Sequence, residues 1–324
     1  MRVKNVAVAL LLCSGTVFAN EPPPGLQSLD QTTAYAIGNR AAAGGLEAAL
    51  LQAEASAPDS PLLAALLNIL GDQHRGRQRY ADAAGAYQRA LEIFQRTMGA
   101  QHRNVASVSL TLAALFNTQY RYAEAEPHYV RALTIFEQAL NPDHAYVTTI
   151  VDDLAAIYRA QNRRADLEQI YVRSLAIAET KLGPEHPRVV ALTTALSGQY
   201  QVQGRFAAAE RLARRVLAAA EKVMGPRHSD TGLALSQLAS VYQGQARFAE
   251  AEPLYQRALS ILEQELSPDH PALGAMLNAF AASYEAQGRN AEAEALLSRL
   301  SEIRTLGIRR QAGAGPLVIH QRRR

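Results

Sequence analysis

With 324 residues, 48% of them apolar, 19% charged and none of them Trp, the chain has the composition of neither a disordered polymer nor a membrane protein. Its 33 Lys and Arg barely exceed its 30 Asp and Glu. Arg2 and Lys4 stand at the N-terminus and Arg309, Arg310, Arg322, Arg323 and Arg324 in the C-terminal tail, so the body between is slightly acidic and does not suit a nucleic-acid partner.

The first segment reads as a targeting signal. Arg2 and Lys4 precede a short apolar run from Val6 to Leu12, and Val17-Phe18-Ala19 offers small residues where a signal peptidase cuts. The expectation is a signal peptide over 1–19, cleaved after Ala19, and a periplasmic or secreted mature protein. The apolar run is too short to cross a bilayer as a helix, which needs about 20 residues. A lipoprotein anchored at Cys13 is the less favoured alternative, because Leu12 is not the small residue such a site requires. Cleavage after Ala19 removes the single cysteine and with it any disulfide or thiol chemistry.

Residues 20–56 combine an extended linker, Glu21-Pro22-Pro23-Pro24-Gly25, with an N-terminal helical cap from Ile37 to Ala55 that Gly44-Gly45 weakens. From 57 to 306 the sequence repeats every 42 residues. RYADAAGAYQRAL starts at 79, RYAEAEPHYVRAL at 121, RFAAAERLARRVL at 205 and RFAEAEPLYQRAL at 247, with weaker copies at 163 and 289. Aligned columns read Leu112, Leu154, Leu196, Leu238, then the small residues Gly71, Ala113, Ala155, Ser197, Ala239, Ala281, then His74, Phe116, Tyr158, Tyr200, Tyr242, Tyr284. Offsets of three and four place them on one helical face, and small residues beside large ones let helices approach closely. Each unit is expected to be two helices joined at a turn such as Gln203-Gly204, where glycine takes a left-handed conformation. No unit buries its face alone, so neighbours must stack. The tail 307–324 lacks periodicity and is expected to be disordered.

These columns, the AEAEPLYQRAL block and the GPEHP loop at 183–187 resemble the tetratricopeptide repeat, in the 42-residue form found in kinesin light chains and many bacterial proteins. The resemblance implies an all-α fold, a right-handed superhelical solenoid of six stacked helix–turn–helix repeats. The copy at 289 departs from the pattern (Asn290, Leu297, Ser301), as a solvent-facing last repeat should.

His102, His144, His186, His228 and His270 share one column. Equivalent positions in neighbouring repeats lie roughly 8–10 Å apart, too far for two rings to share a metal ion at about 2 Å. Ser60, a preferred N-cap residue, takes the same place one repeat earlier, and proline follows at Pro61, Pro187 and Pro271, where the first helical position tolerates it. The column therefore marks helix starts. No HExxH, GxSxG or P-loop spacing occurs, so no metal, cofactor or catalytic site is expected and the chain is read as a non-enzyme. Adjacent acids such as Asp152 and Asp153 diverge on a helix by roughly a quarter turn, which suits neither two-carboxylate catalysis nor a His- or carboxylate-dependent enzyme.

In the resembled family the first helices line a concave groove that takes extended peptides or partner helices. Carried over, the resemblance implies a groove of Asn68, Asp72, Arg75, Asn117, Thr118, Asp152, Asp153, Arg159, Gln201, Ser236, Gln237, Gln243, Asn278 and Glu285. Side-chain amides pair with both N–H and C=O groups of an extended backbone. The Lys- and Arg-rich clamp for a C-terminal carboxylate is missing, and of the Asn-Asn pairs typical of kinesin light chains only Asn68 and Asn278 match, singly. The resulting reading is a non-enzymatic scaffold that binds protein segments as an adaptor or assembly factor in the bacterial envelope. The alternative is a self-assembling solenoid, and the Arg-rich tail can add a weak membrane-surface contact.

Overall fold

The computed structural model describes residues 45–311, with side chains through 303. The expected signal segment, Cys13, the Pro-rich linker and residues 312–324 lie outside the described residues. Thirteen helices and no strand occur among those described: α1 (45–56), α2 (Pro61–Gly76), α3 (Tyr80–Met98), α4 (Arg103–Thr118), α5 (Tyr122–Ala139), α6 (Ala145–Ala160), α7 (Arg164–Leu182), α8 (Pro187–Val202), α9 (Phe206–Val223), α10 (Ser229–Gly244), α11 (Phe248–Glu265), α12 (Pro271–Glu285) and α13 (Asn290–Gln311). Even-numbered helices from α2 to α12 are the first helices of the six repeats, and odd-numbered ones from α3 are the second. The chain divides into two compact units at Ile170/Tyr171, within α7.

In the N-terminal unit the residues the periodicity selects, Leu112, Leu154, Ala83, Ala125, Tyr87 and Tyr129, are all fully buried. In the C-terminal unit Leu235, Ala251, Tyr255, Ala258, Leu262 and Leu277 play the same part. The small column is small because the neighbouring tyrosine leaves no room, since a Cβ on Gly71 would stand 2.5 Å from the Tyr87 ring. At the equivalent position Ser197 donates from Oγ to the carbonyl of Ala209 at 3.0 Å, so its hydroxyl is satisfied in the core.

Helix starts follow the histidine column. His102, His144, His186, His228 and His270 each accept at Nδ1 from the backbone N–H two residues on, at 3.1–3.2 Å. Ser60 does the same work through Oγ, accepting from Leu63 N–H at 3.2 Å. The histidines are therefore N-caps, satisfying donors that the helix itself leaves orphaned.

The turn inside each repeat closes in one way. The backbone N–H of Arg121, Arg163, Arg205, Arg247 and Arg289 returns to the carbonyl of the aromatic residue five positions earlier at 2.8–3.0 Å, and Arg79 to His74 at 2.9 Å. This six-to-one bond is the Schellman motif, whose preceding residue must be left-handed. Six residues occupy that position, Gln78, Tyr120, Asn162, Gly204, Ala246 and Gly288, all with φ between 55° and 73°. Glycine was the expected residue; four of the six are something else. The motif's hydrogen bonds hold the conformation even where a Cβ makes it unfavourable.

The same arginines pin neighbouring repeats together. Arg163 lies over the Tyr158 ring at 4.6 Å and pairs with Glu126 of the preceding second helix, while Tyr158 donates to Glu126 at 3.2 Å. Arg289, Tyr284 and Glu252 repeat the arrangement, with Arg289 4.2 Å above the ring and 2.7 Å from the carboxylate. Glu210 receives Arg247 at 2.8 Å. Pro127 and Pro253 sit inside α5 and α11, which continue through them. At the C-terminal end α13 runs to Gln311, so residues 307–311, expected to be disordered, are helical. Leu306, Ile308, Arg309, Arg310 and Gln311 are acceptable helix residues, and the single Gly307 is not enough to stop propagation.

Candidate functional site

The predicted groove residues fall into register columns on the first helices. Asn68, Asp152, Ser236 and Asn278 share one column, and Arg75, Asn117, Arg159, Gln201, Gln243 and Glu285 fill the column seven residues on, once in every repeat. Residues i and i+7 lie on the same helical face. Asp153 and Gln237 share a third column, one residue later, which is rotated toward the preceding repeat.

Several of these residues are occupied by the fold. Tyr87 donates its hydroxyl to Asp72 at 2.7 Å, and Arg75 pairs with the same carboxylate at 3.1 Å. Tyr129 donates to Asp153 at 2.7 Å and receives a bond from the Asn117 amide at 3.3 Å. Tyr255 donates to the Gln243 side-chain oxygen at 2.8 Å. By sequence alone these residues look free for a ligand, but a buried tyrosine hydroxyl requires an acceptor. Its signal was the column Tyr87, Tyr129, Tyr255 itself, apolar in position but not in chemistry. Burial, the nearby carboxylates and the hydrogen bonds to them push the Tyr87 and Tyr129 hydroxyls above the usual phenol range. Burial alone takes Tyr255 up to about 12, against a lowering hydrogen bond with Ser240.

Elsewhere in the columns the amides bond to their neighbours. Gln201 donates to Ser240 at 2.8 Å, and Gln237 donates to the Thr194 carbonyl at 3.1 Å. Thr118 bonds to its own helix, donating to the Leu115 carbonyl at 2.9 Å. Asp152, Arg159, Asn278 and Glu285 are exposed and Ser236 is partly exposed. Asn68 is half-buried, and its side-chain oxygen is sealed from solvent with no hydrogen-bond partner among the described residues.

Charge differs between the two units. The N-terminal unit's columns carry Asp72, Arg75, Asp152, Asp153 and Arg159, whereas those of the C-terminal unit carry amides and hydroxyls, with Glu285 their single charged member. Asp153 is held above the ordinary carboxylate range by burial and by the adjacent Asp152, against the Tyr129 hydrogen bond that lowers it. On the first helices of the C-terminal unit, Val202 and Leu233 are exposed apolar residues of α8 and α10, at 68% and 42%.

Among the described residues no group of three or more His, Cys, Asp or Glu is placed to hold a metal ion. No described helix is long and apolar enough to cross a membrane. His128 is packed rather than poised: it stacks on Phe116 with ring centroids 5.9 Å apart, and burial followed by the charge of Arg131 lowers its pKa. His74 meets Arg79 through Nδ1 at 2.5 Å.

Comparison with known proteins agrees with this architecture. The crystal structure of BtubC (BKLC) from P. vanneervenii is similar at a TM-score of 0.53 and 21% identity, over 72% of this chain and 92% of that one. A Podosopora anserina protein with nearly identical TPR-like repeats of kinesin light chain type is similar at 0.50 and 24% identity, over 64% and 98%. A signal transduction ATPase of Pyrococcus horikoshii with a tetratricopeptide repeat sensor gives 0.52 at 14% identity, over 89% of this chain and 44% of that one. At these identities the likeness is one of fold. No curated protein sequence matches the chain. The signature described as tetratricopeptide repeat matches residues 61–138, 104–180, 146–222, 189–264 and 230–305, an unbroken span from the first repeat to the last. With its helix pairs, caps and column chemistry, the chain belongs to the tetratricopeptide repeat family.

Proposed function

We propose that this protein is a non-enzymatic scaffold that binds extended segments of other proteins along the concave face formed by its first helices, as an adaptor or assembly factor in the bacterial envelope. The observation that carries the reading is the column Asn68, Asp152, Ser236, Asn278. It is polar in both units, at Asn68 and Asp152 in the N-terminal one and at Thr194, Ser236 and Asn278 in the C-terminal one, with Leu110 the exception among the six repeats. An extended backbone offers N–H donors at regular spacing, which is what such a column takes. Export rests on the N-terminal sequence, with Arg2, Lys4, the run Val6–Leu12 and the small residues ending at Ala19.

The test is affinity capture from envelope extract with the wild-type chain and with two variants, Asn68→Ala/Asp152→Ala and Ser236→Ala/Asn278→Ala. Asp153 is left intact because it anchors Tyr129. A protein retained by wild type and lost from either variant supports the groove; the same retention by all three contradicts it. The mass of the mature chain isolated from cells tests export, since cleavage after Ala19 removes residues 1–19.

A further inference from the structure

We infer that the first-helix face of the C-terminal unit carries, at the fourth repeat, a recess that takes a tyrosine side chain of the bound segment; the inference rests on the groove reading above and names one residue of its ligand. The second helices bury a tyrosine at one register position, as Tyr87, Tyr129, Tyr171 and Tyr255. The fourth repeat has Ala213 there, fully buried. The first repeat shows what such a ring meets, since the Tyr87 hydroxyl donates to Asp72 at 2.7 Å. In the fourth repeat the Asp72 register holds Gly198. Ring and facing side chain are therefore missing together, and a Cβ on Gly198 would meet nothing within 4 Å.

The partners of the absent hydroxyl remain in place. Tyr129 is held by Asn117 of its own repeat and Asp153 of the next, and Tyr255 by Gln243. Around Ala213 the same registers carry Gln201 on α8 and Gln237 on α10. With no hydroxyl to meet, the two amides bond across the helices, Gln201 to Ser240 Oγ at 2.8 Å and Gln237 to the Thr194 carbonyl at 3.1 Å. Both glutamines are partly exposed, so rotation of two side chains opens the space above Ala213 and leaves the backbone where it is. An amide then offers a phenol both an acceptor and a donor. A second observation marks the same two helices. Among the large apolar residues exposed in the described structure, those on first helices are Val202 and Leu233. Val202 lies one turn beyond Gly198 and Leu233 one turn before Gln237, each on the same helical face as its neighbour. Apolar surface thus flanks the amides, and a ring with one polar tip matches that combination. A charged side chain would find no counter-ion among these groups.

The probe is p-cresol, the tyrosine side chain as a free molecule, titrated into the full chain while the side-chain amide NMR signals of Gln201 and Gln237 are followed. Saturable shifts of both are expected, with toluene, which lacks the hydroxyl, binding about tenfold more weakly. Ala213→Tyr restores the ring of the other repeats and is expected to keep or raise the urea midpoint while abolishing the shifts. Gly198→Leu, which fills the space from α8, is expected to abolish them as well. No response to p-cresol, equal affinity for toluene, shifts that persist in either variant, or a lowered urea midpoint in Ala213→Tyr would each overturn the proposal. Envelope capture separates it from the groove reading: a partner lost from Ser236→Ala/Asn278→Ala yet retained by Ala213→Tyr keeps the groove and removes the recess.

Discussion

Tyr129 and Asp153 join the second helix of one repeat to the first helix of the next: the buried tyrosine hydroxyl donates to Asp153 Oδ2 at 2.7 Å. The tyrosine ring is fully buried and the carboxylate partly so. The bond thus serves two groups at once, giving the hydroxyl its acceptor and the carboxylate a donor in place of water. Tyr129→Phe is expected to destabilise the chain by about 1.5–3 kcal/mol, the range for a hydrogen bond to a charged group, as measured by urea unfolding.

The same substitution has a signature in titration. The Tyr129 hydrogen bond lowers the Asp153 pKa, while burial and then Asp152 raise it, and the net direction is upward. A carboxyl raised on folding contributes stability that is complete below its unfolded pKa and is lost as pH rises through the folded one. Removing the hydroxyl therefore moves the Asp153 pKa further up, which carboxyl NMR of Tyr129→Phe checks directly. A fall or no change would show that the bond does not favour the charged form.

The His102 cap gives the protein an acid sensitivity of opposite sign. Capping needs Nδ1 unprotonated, and burial, then the charge of Arg103, lowers the His102 pKa from 6.5. The unfolded chain takes up this proton first as pH falls. The contribution of the cap is whole above the unfolded pKa and is lost as pH drops through the lowered folded value. Urea midpoints should fall between neutral pH and mild acid, and His102→Ser, which copies Ser60, should flatten that slope. At neutral pH His186→Ala should cost about 1 kcal/mol and His186→Ser much less.

Two glycines in the first repeat separate packing from propensity. A Cβ at Gly71 would meet Tyr87 Cε1 at 2.5 Å and Cδ1 at 2.6 Å, inside a closed core. Gly71→Ala is expected to destabilise by about 1–3 kcal/mol through overpacking. Gly85 sits in α3 with nothing within 4 Å of its added Cβ. Gly85→Ala should stabilise by about 0.5–1 kcal/mol. Thermal or urea unfolding of the two variants must move in opposite directions.

Most of the fold was legible because a solenoid repeats its solution. The large, small and ring-bearing positions held by Leu112, Ala113 and Phe116 return every 42 residues, so six copies vote on each column, and the same register places the His column at helix starts, where the Nδ1 bonds lie. Less legible was what depends on the third dimension. Asp72, Asn117, Asp153 and Gln243 look like ligand-binding residues in sequence because their tyrosine partners lie 12 to 24 positions away, and nothing in the local pattern connects them. The left-handed column was missed in four turns because Gln78, Tyr120, Asn162 and Ala246 carry no glycine to mark it. Backbone hydrogen bonds, invisible in residue type, fix the conformation there.

Site-specific photo-crosslinking in cells tests the central claim most directly. A benzophenone side chain is placed at Asp152 or Asn278 on the first helices, or at Val130, exposed on the second helix α5. Concave-face binding predicts adducts with another protein from Asp152 and Asn278 and none from Val130. Adducts from Val130 with none from the first-helix positions would contradict the account and move the binding surface to the second helices.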